Sequence, residues 1–230
     1  MYKLLTAFEG IFSGKIYRHR SSNIGDAVAA YVYEDLVELG QSKLLTSRLN
    51  NHEVAVNTGN QIKGKKGRRG DGTFGRVVPE QILSLEPTYK IPRGHVANLE
   101  IGTEVKIAAT KLIAQVDRVI NDLMKQAEIF RQHNAHALRL AIVGVNFAST
   151  YTGYEGDRQY VAKSPPAREA TDFANRIERI VSPHFHELLI LKFKATNNPP
   201  FSFEWVNPTE TVQLYGSALV RLSAEYDQRF

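Results

Sequence analysis

Residues 98–107 read NLEIGTEVKI, with Leu99, Ile101, Val105 and Ile107 alternating as a β-strand would have them. With a period of two, Glu104 and Lys106 project to the same side of that strand, as do Glu100 and Gly102. A lone buried carboxylate or ammonium costs several kcal/mol. So apolar a strand tolerates this pair only if the two neutralise each other, reach solvent, or hold a metal ion. An ion pair on an edge strand is the plain alternative to a functional site.

Downstream, TKLIAQVDRVINDLMKQAEIFRQH puts Leu112, Val116, Val119, Ile120, Leu123, Ala127 and Phe130 on one helical face. LRLAIVGVN (138–146) follows as an almost unbroken apolar run, the pattern of a strand covered on both faces. Upstream, SSNIGDAVAAYVYEDLVELG has Ser and Asn before a helically spaced apolar series and Gly40 where a helix would stop. HEVAVN (52–57) and GTFGRVV alternate as short strands, and the glycine-rich, basic segment between them reads as an exposed loop. Pro165 and Pro166 suit the start of a helix over about 167–181. ELLILKFKA and FSFEWV then read as strands, and PTETVQLYGSALVRLSAEYDQ reads as a closing helix. With no repeat and no long linker, the expectation is one mixed α/β domain over 1–230.

Asp71 opens the strand in RRGDGTFGRVV, and Glu104-Val105-Lys106 stands on the next long strand, followed by a crossover helix and an apolar strand. This arrangement resembles the PD-(D/E)XK nuclease superfamily, the fold of many restriction endonucleases and repair nucleases. The resemblance implies a restriction-endonuclease-like core over about 22–146, with a central mixed sheet flanked by helices and C-terminal elaboration over about 147–230. It implies Asp71, Glu104 and Lys106 as catalytic residues, with Asp71, Glu104 and the Val105 carbonyl as ligands of Mg²⁺, for which Mn²⁺ would substitute. Here the first acid follows glycine, where the family name leads one to expect proline. Pro79-Glu80 supplies such a pair, so Glu80 is the alternative first acid. The family also places an acid of the first helix near the metal, which points to Glu34 or Asp35. Asp35 falls inside the apolar arc of its helix and needs a partner there; an acid satisfied by a nearby basic side chain is the competing reading.

Two carboxylates on adjacent strands suit one hard Mg²⁺ with room for water and a phosphate oxygen, and a lysine beside them can orient or deprotonate the attacking water. Lys63, Lys65, Lys66, Arg68 and Arg69 stand among glycines just before Asp71, where they would meet DNA phosphates. His184, His186 and Glu187 have alternate spacing but no third ligand at a recognisable interval, which favours ordinary hydrogen-bonded histidines. Tyr151, Tyr154, Tyr160, Arg158 and Lys163 share a long loop and either contact nucleic acid or pack.

The formal charge of +5 favours an anionic partner, and the 230 residues with 43% hydrophobic content suffice for a full core. The absence of cysteine excludes disulfides, thiolate metal sites and cysteine nucleophiles, and suits a reducing cytoplasm. MYKLLTAFEGIFSGKIY resembles neither a secretory signal nor a membrane span, and no nucleotide-binding glycine motif opens a helix. The expectation is therefore a Mg²⁺-dependent DNA endonuclease of type II restriction character, acting on double-stranded DNA as a homodimer, with no membrane and no nucleotide cofactor. Its rivals are a non-catalytic nucleic-acid-binding or scaffold protein on the same fold, and a structure-specific repair nuclease.

Overall fold

The computed structural model describes residues 2–18, 23–58, 61–62, 65–66, 71–87, 89–153, 158–162 and 166–230. The chain opens with three helices, α1 (Lys3–Phe12), α2 (Asn23–Leu39) and α3 (Lys43–Asn50). Strand β1 (Val54–Asn57), a two-stranded ribbon of β2 (Gln61–Ile62) and β3 (Lys65–Lys66), and strand β4 (Gly72–Val77) come next. The short β5 (Arg93–Gly94) leads into β6 (Val96–Ala108), then α4 (Leu112–His133) and β7 (Leu138–Asn146). A hairpin of β8 (Thr150–Thr152) and β9 (Gln159–Val161) precedes α5 (Pro166–Val181), β10 (Glu187–Ala195), β11 (Phe203–Trp205) and α6 (Pro208–Arg229).

One seven-stranded sheet has the order β11-β10-β7-β6-β4-β1-β5. Strands β1, β4 and β6 are successively antiparallel, whereas β6, β7 and β10 run parallel. The unbroken apolar run of β7 has the cause expected of it. Leu138, Leu140 and Ile142 pack with α1, α2 and α6, while Ala141, Val143 and Val145 pack with α4 and α5. All seven residues expected on the inner face of α4 are buried.

The elaboration expected after residue 147 is continuous with the core: β10 pairs with β7 from Glu187↔Leu140 to Phe193↔Asn146, and Tyr215, Leu219, Leu222 and Tyr226 of α6 are buried in the main core. The apolar content of this region is thus largely used within the chain. One sequence expectation, the face of Glu100, needs correction. A bulge in the β4–β6 ladder pairs Phe74 with Ile101 but Gly75 with Leu99, leaving Glu100 as the extra residue. Leu99 consequently packs with Phe130 of α4, whereas Glu100 turns to the opposite layer, between Arg48 of α3 and Tyr226 of α6. Glu100 and Gly102 therefore do not share a side, since a Cβ on Gly102 would lie 2.6 Å from the Phe130 ring.

Candidate functional site

The site forms where β4 begins beside the carboxyl-terminal half of β6. Gly72 pairs with Thr103, which sets Asp71 level with Glu104 on the neighbouring strand. The Asp71 Oδ2 accepts a 2.7 Å hydrogen bond from the Val105 backbone N–H. That N–H points toward β4, and in an extended strand the carbonyl of the same residue points the same way. The Val105 carbonyl is thus directed to the side on which Asp71 lies.

Glu104 is 3% exposed, and Lys106 Nζ donates to its Oε1 at 2.5 Å. The ammonium supplies the positive charge that so buried a carboxylate requires, and the Lys106 side chain retains 21% exposure at the mouth of the site. Neutralisation is therefore how the strand accommodates Glu104 and Lys106. Both point toward the α4 layer, as Gly102 and Ala108 do, while Thr103 and Val105 face the α2 layer.

The approach of α2 depends on its small residues. Gly25, Ala29 and Tyr33 are spaced at i, i+4 and i+8 and meet the start of β4 in turn. A Cβ on Gly25 would come within 2.6 Å of the Asp71 carboxylate carbon, and one on Gly72 within 2.4 Å of the Ala29 Cβ. Tyr33 closes the contact through a 2.9 Å hydrogen bond with Thr103 Oγ1, and burial pushes its phenol above the ordinary tyrosine range. The first turn of α2 thus abuts the Asp71 carboxylate, and Asp26 follows Gly25 in that turn. Sequence reasoning missed Gly25; a glycine opening an otherwise apolar helix is its only signal.

Glu34 and Asp35 do not occupy the accessory position. They follow Gly25 by nine and ten residues, about 14 Å along the helix. Glu34 accepts from the backbone N–H of Lys90 and of Ile91 and from Lys3 Nζ at 3.0 Å. Asp35 accepts from the N–H of Lys3 at 2.7 Å and of Leu4 at 2.9 Å, and from the Tyr215 hydroxyl at 2.8 Å. It is the N-terminal cap of α1, supplied from another helix. Glu80, the alternative first acid, is exposed in the turn after β4. The whole length of that strand, about 20 Å, separates it from Asp71.

Among the cations expected to grip DNA, Lys65 and Lys66 form β3, while Lys63, Arg68 and Arg69 lie outside the described residues. Tyr154 and Lys163 also lie outside them, and Arg158 is exposed just ahead of β9. Tyr151 is buried, and Tyr160 carries the Lys111 ammonium 5.1 Å from its ring centre. The histidines are not paired on a strand face. His184 ends a 3-10 turn (Ser182–His184), and His186 Nδ1 accepts from the Arg139 N–H at 2.9 Å.

Asp71, Glu104 and the Val105 carbonyl offer only hard oxygen donors, a set suited to Mg²⁺ or Mn²⁺. Among the described residues no group of three or more acidic or histidine side chains could hold a metal. An ion here would rest on two carboxylates, a carbonyl and water. No helix among the described residues is long and apolar enough to cross a membrane. No family model matches the chain, and neither a curated protein nor a solved structure matches it at a significant level.

Proposed function

We propose that the chain is a metal-dependent DNA endonuclease of type II restriction character, built on a restriction-endonuclease-like core. The observation that carries this reading is the hydrogen bond of Asp71 to the backbone of β6 between Glu104 and Lys106. It ties an acid at the start of one strand to the backbone of the residue that lies between an acid and a lysine on the next. The order of elements supports it as well: a helix, three successively antiparallel strands, a crossover helix and a strand parallel to the third.

Asp71, Glu104 and the Val105 carbonyl would hold Mg²⁺, which supplies Lewis-acid polarisation of the phosphate and lowers the pKa of bound water. Lys106, already beside Glu104 as an ammonium and partly exposed, would orient the attacking water or offset charge building on the phosphate. The Asp71 hydrogen bond keeps its carboxylate against the backbone of β6 at Val105. Lys63, Lys65, Lys66, Arg68 and Arg69 would neutralise backbone phosphates beside the cut. One such site cleaves one strand, so cutting a palindrome in both strands calls for a two-fold homodimer.

The second reading, a binding or scaffold protein on the same core, is favoured by the way Glu104 and Lys106 satisfy each other. Digestion of plasmid DNA with Mg²⁺ or Mn²⁺, against EDTA, separates the two. The nuclease reading expects metal-dependent discrete fragments, whereas binding without cleavage supports the scaffold. Cleavage confined to branched substrates would make it a repair nuclease.

A further inference from the structure

Three residues beyond Lys106, the carboxyl end of β6 runs into a cavity of about 610 Å³ that the proposed cleavage site does not use. One wall is the β8–β9 hairpin, which contributes Tyr151 and Tyr160; the other is the first turns of α4 and α5. The volume falls in the range of small-ligand pockets. The walls are mainly apolar, and the charged groups on them are few and of both signs: Lys111 and Arg168 against Glu169 and Asp172.

One feature suits a nucleotide in particular. The Lys111 ammonium lies over the face of the Tyr160 ring, 5.1 Å from its centre, so a mobile cation and an aromatic surface meet in this wall. Lys111 starts α4 without a side-chain cap of its own, and the Ile113 N–H in that first turn donates instead to the Glu169 carboxylate at 3.4 Å, which ties α4 to α5 along this wall. A phosphate that draws Lys111 off the ring, and Arg168 from Asp172 3.9 Å away, leaves the tyrosine face to a base and the Asp172 carboxylate to an exocyclic amino group of that base. The distance is also suitable, since three residues of extended strand separate Lys106 from the cavity by about 10 Å.

We propose that this cavity takes one unstacked nucleotide of the substrate strand, with its base against Tyr160 and its phosphate at Lys111 and Arg168. This rests on the phosphodiesterase reading for its place in catalysis, but nucleotide binding by itself does not. An enzyme that extrudes a nucleotide loses stacking energy and regains it against aromatic and apolar walls.

Two measurements on the full chain test it. In the first, the four deoxynucleoside monophosphates and inorganic phosphate are titrated by ligand-observed NMR against the wild type, Tyr160→Ala, Tyr160→Phe and Lys111→Asn. Asparagine is chosen because residue 111 has a φ of 49°. At least one monophosphate is expected to bind, at least tenfold more weakly to Tyr160→Ala and Lys111→Asn, and nearly normally to Tyr160→Phe. Inorganic phosphate binding as well as the nucleotides, or equal binding to Tyr160→Ala, would overturn the proposal. In the second, 2-aminopurine is moved along a duplex held by the Glu104→Gln/Lys106→Met double variant. One position is expected to brighten several-fold and to lose that signal with Tyr160→Ala added; quenching at every position of a bound duplex would overturn the extrusion. The two readings fail separately. A chain that binds monophosphates here but cuts no DNA loses the nuclease reading alone, and one that cuts DNA but ignores monophosphates loses the cavity alone.

Discussion

Gly25 has a consequence that its size alone decides. Glycine costs a helix about 1 kcal/mol relative to alanine, so Gly25→Ala on general grounds should stabilise α2. Its new methyl would, however, press on the Asp71 carboxylate, the movable end of a side chain, so the fold can yield while the site cannot. The expected outcome is an unchanged or raised melting temperature with metal-dependent cleavage at least tenfold slower. Normal cleavage would detach Asp71 from the chemistry. His186 acts at the same scale on stability. Burial first, then the Arg139 and Arg229 guanidinium groups, pull its imidazole down to about 4. The unfolded chain therefore takes up this proton first as pH falls below the ordinary 6.5, and stability is lost between about 6.5 and 4. With the ring partly exposed, the loss is about 1–2 kcal/mol. His186→Asn keeps an acceptor for the Arg139 N–H but does not titrate, and is expected to flatten that part of the stability–pH curve in urea denaturation; an unchanged slope would place the acid sensitivity elsewhere.

At the scale of elements, the β-bulge at Glu100 converts a strand residue into a tie between layers. Glu100 accepts from both terminal Arg48 guanidinium nitrogens, at 2.7 and 3.0 Å, and from the Tyr226 hydroxyl at 2.6 Å. All three residues are buried. Removing one partner leaves an uncompensated buried charge, so Arg48→Met is expected to cost about 3–5 kcal/mol. Adding Glu100→Gln should recover part of that loss, and denaturant titrations of the single and double variants measure both. Alternation along NLEIGTEVKI could not reveal this, because the extra residue is defined only by the register with β4. Nor could helix spacing reveal the work of Asp35: it correctly marks a buried acid, but the partner is the start of α1, a helix with no side-chain cap of its own. By contrast β7 and the inner face of α4 are fully legible, because covered strands and amphipathic helices carry their packing in their own periodicity. The basic segment before β4 also belongs to this scale. Replacing Lys63, Lys65, Lys66, Arg68 and Arg69 by glutamine is expected to weaken cognate and random duplexes by similar factors. Each phosphate that these side chains cease to neutralise should flatten the slope of log K against log salt by about 0.9. An unchanged slope would remove the segment from the interface.

For the whole molecule, the order of strands decides more than any motif. Asp71 and Glu104 are far apart in sequence and become neighbours only because β4 is antiparallel to β6. Their conjunction is legible from the element order, whereas the supporting acids are not, since distance along α2 decides which of its residues reach the sheet end. The C-terminal third reads as an addition because its strands come last in sequence. The parallel pairing of β10 with β7 makes it part of the same core, so truncation there should unfold the chain rather than trim it. What remains to be joined to this architecture is turnover. The most direct measurement follows binding and cleavage of one cut duplex by the wild type, Glu104→Gln, Lys106→Met and the double variant, with and without Mg²⁺, each protein first checked by its melting temperature. The double variant matters because Lys106→Met alone leaves Glu104 buried without its cation. The expected result is that the folded variants bind DNA within a few-fold of wild type and cleave at least a hundredfold more slowly, with wild-type cleavage abolished by EDTA. A folded Lys106→Met or double variant that cleaves at the wild-type rate in Mg²⁺ would contradict the assignment of this site.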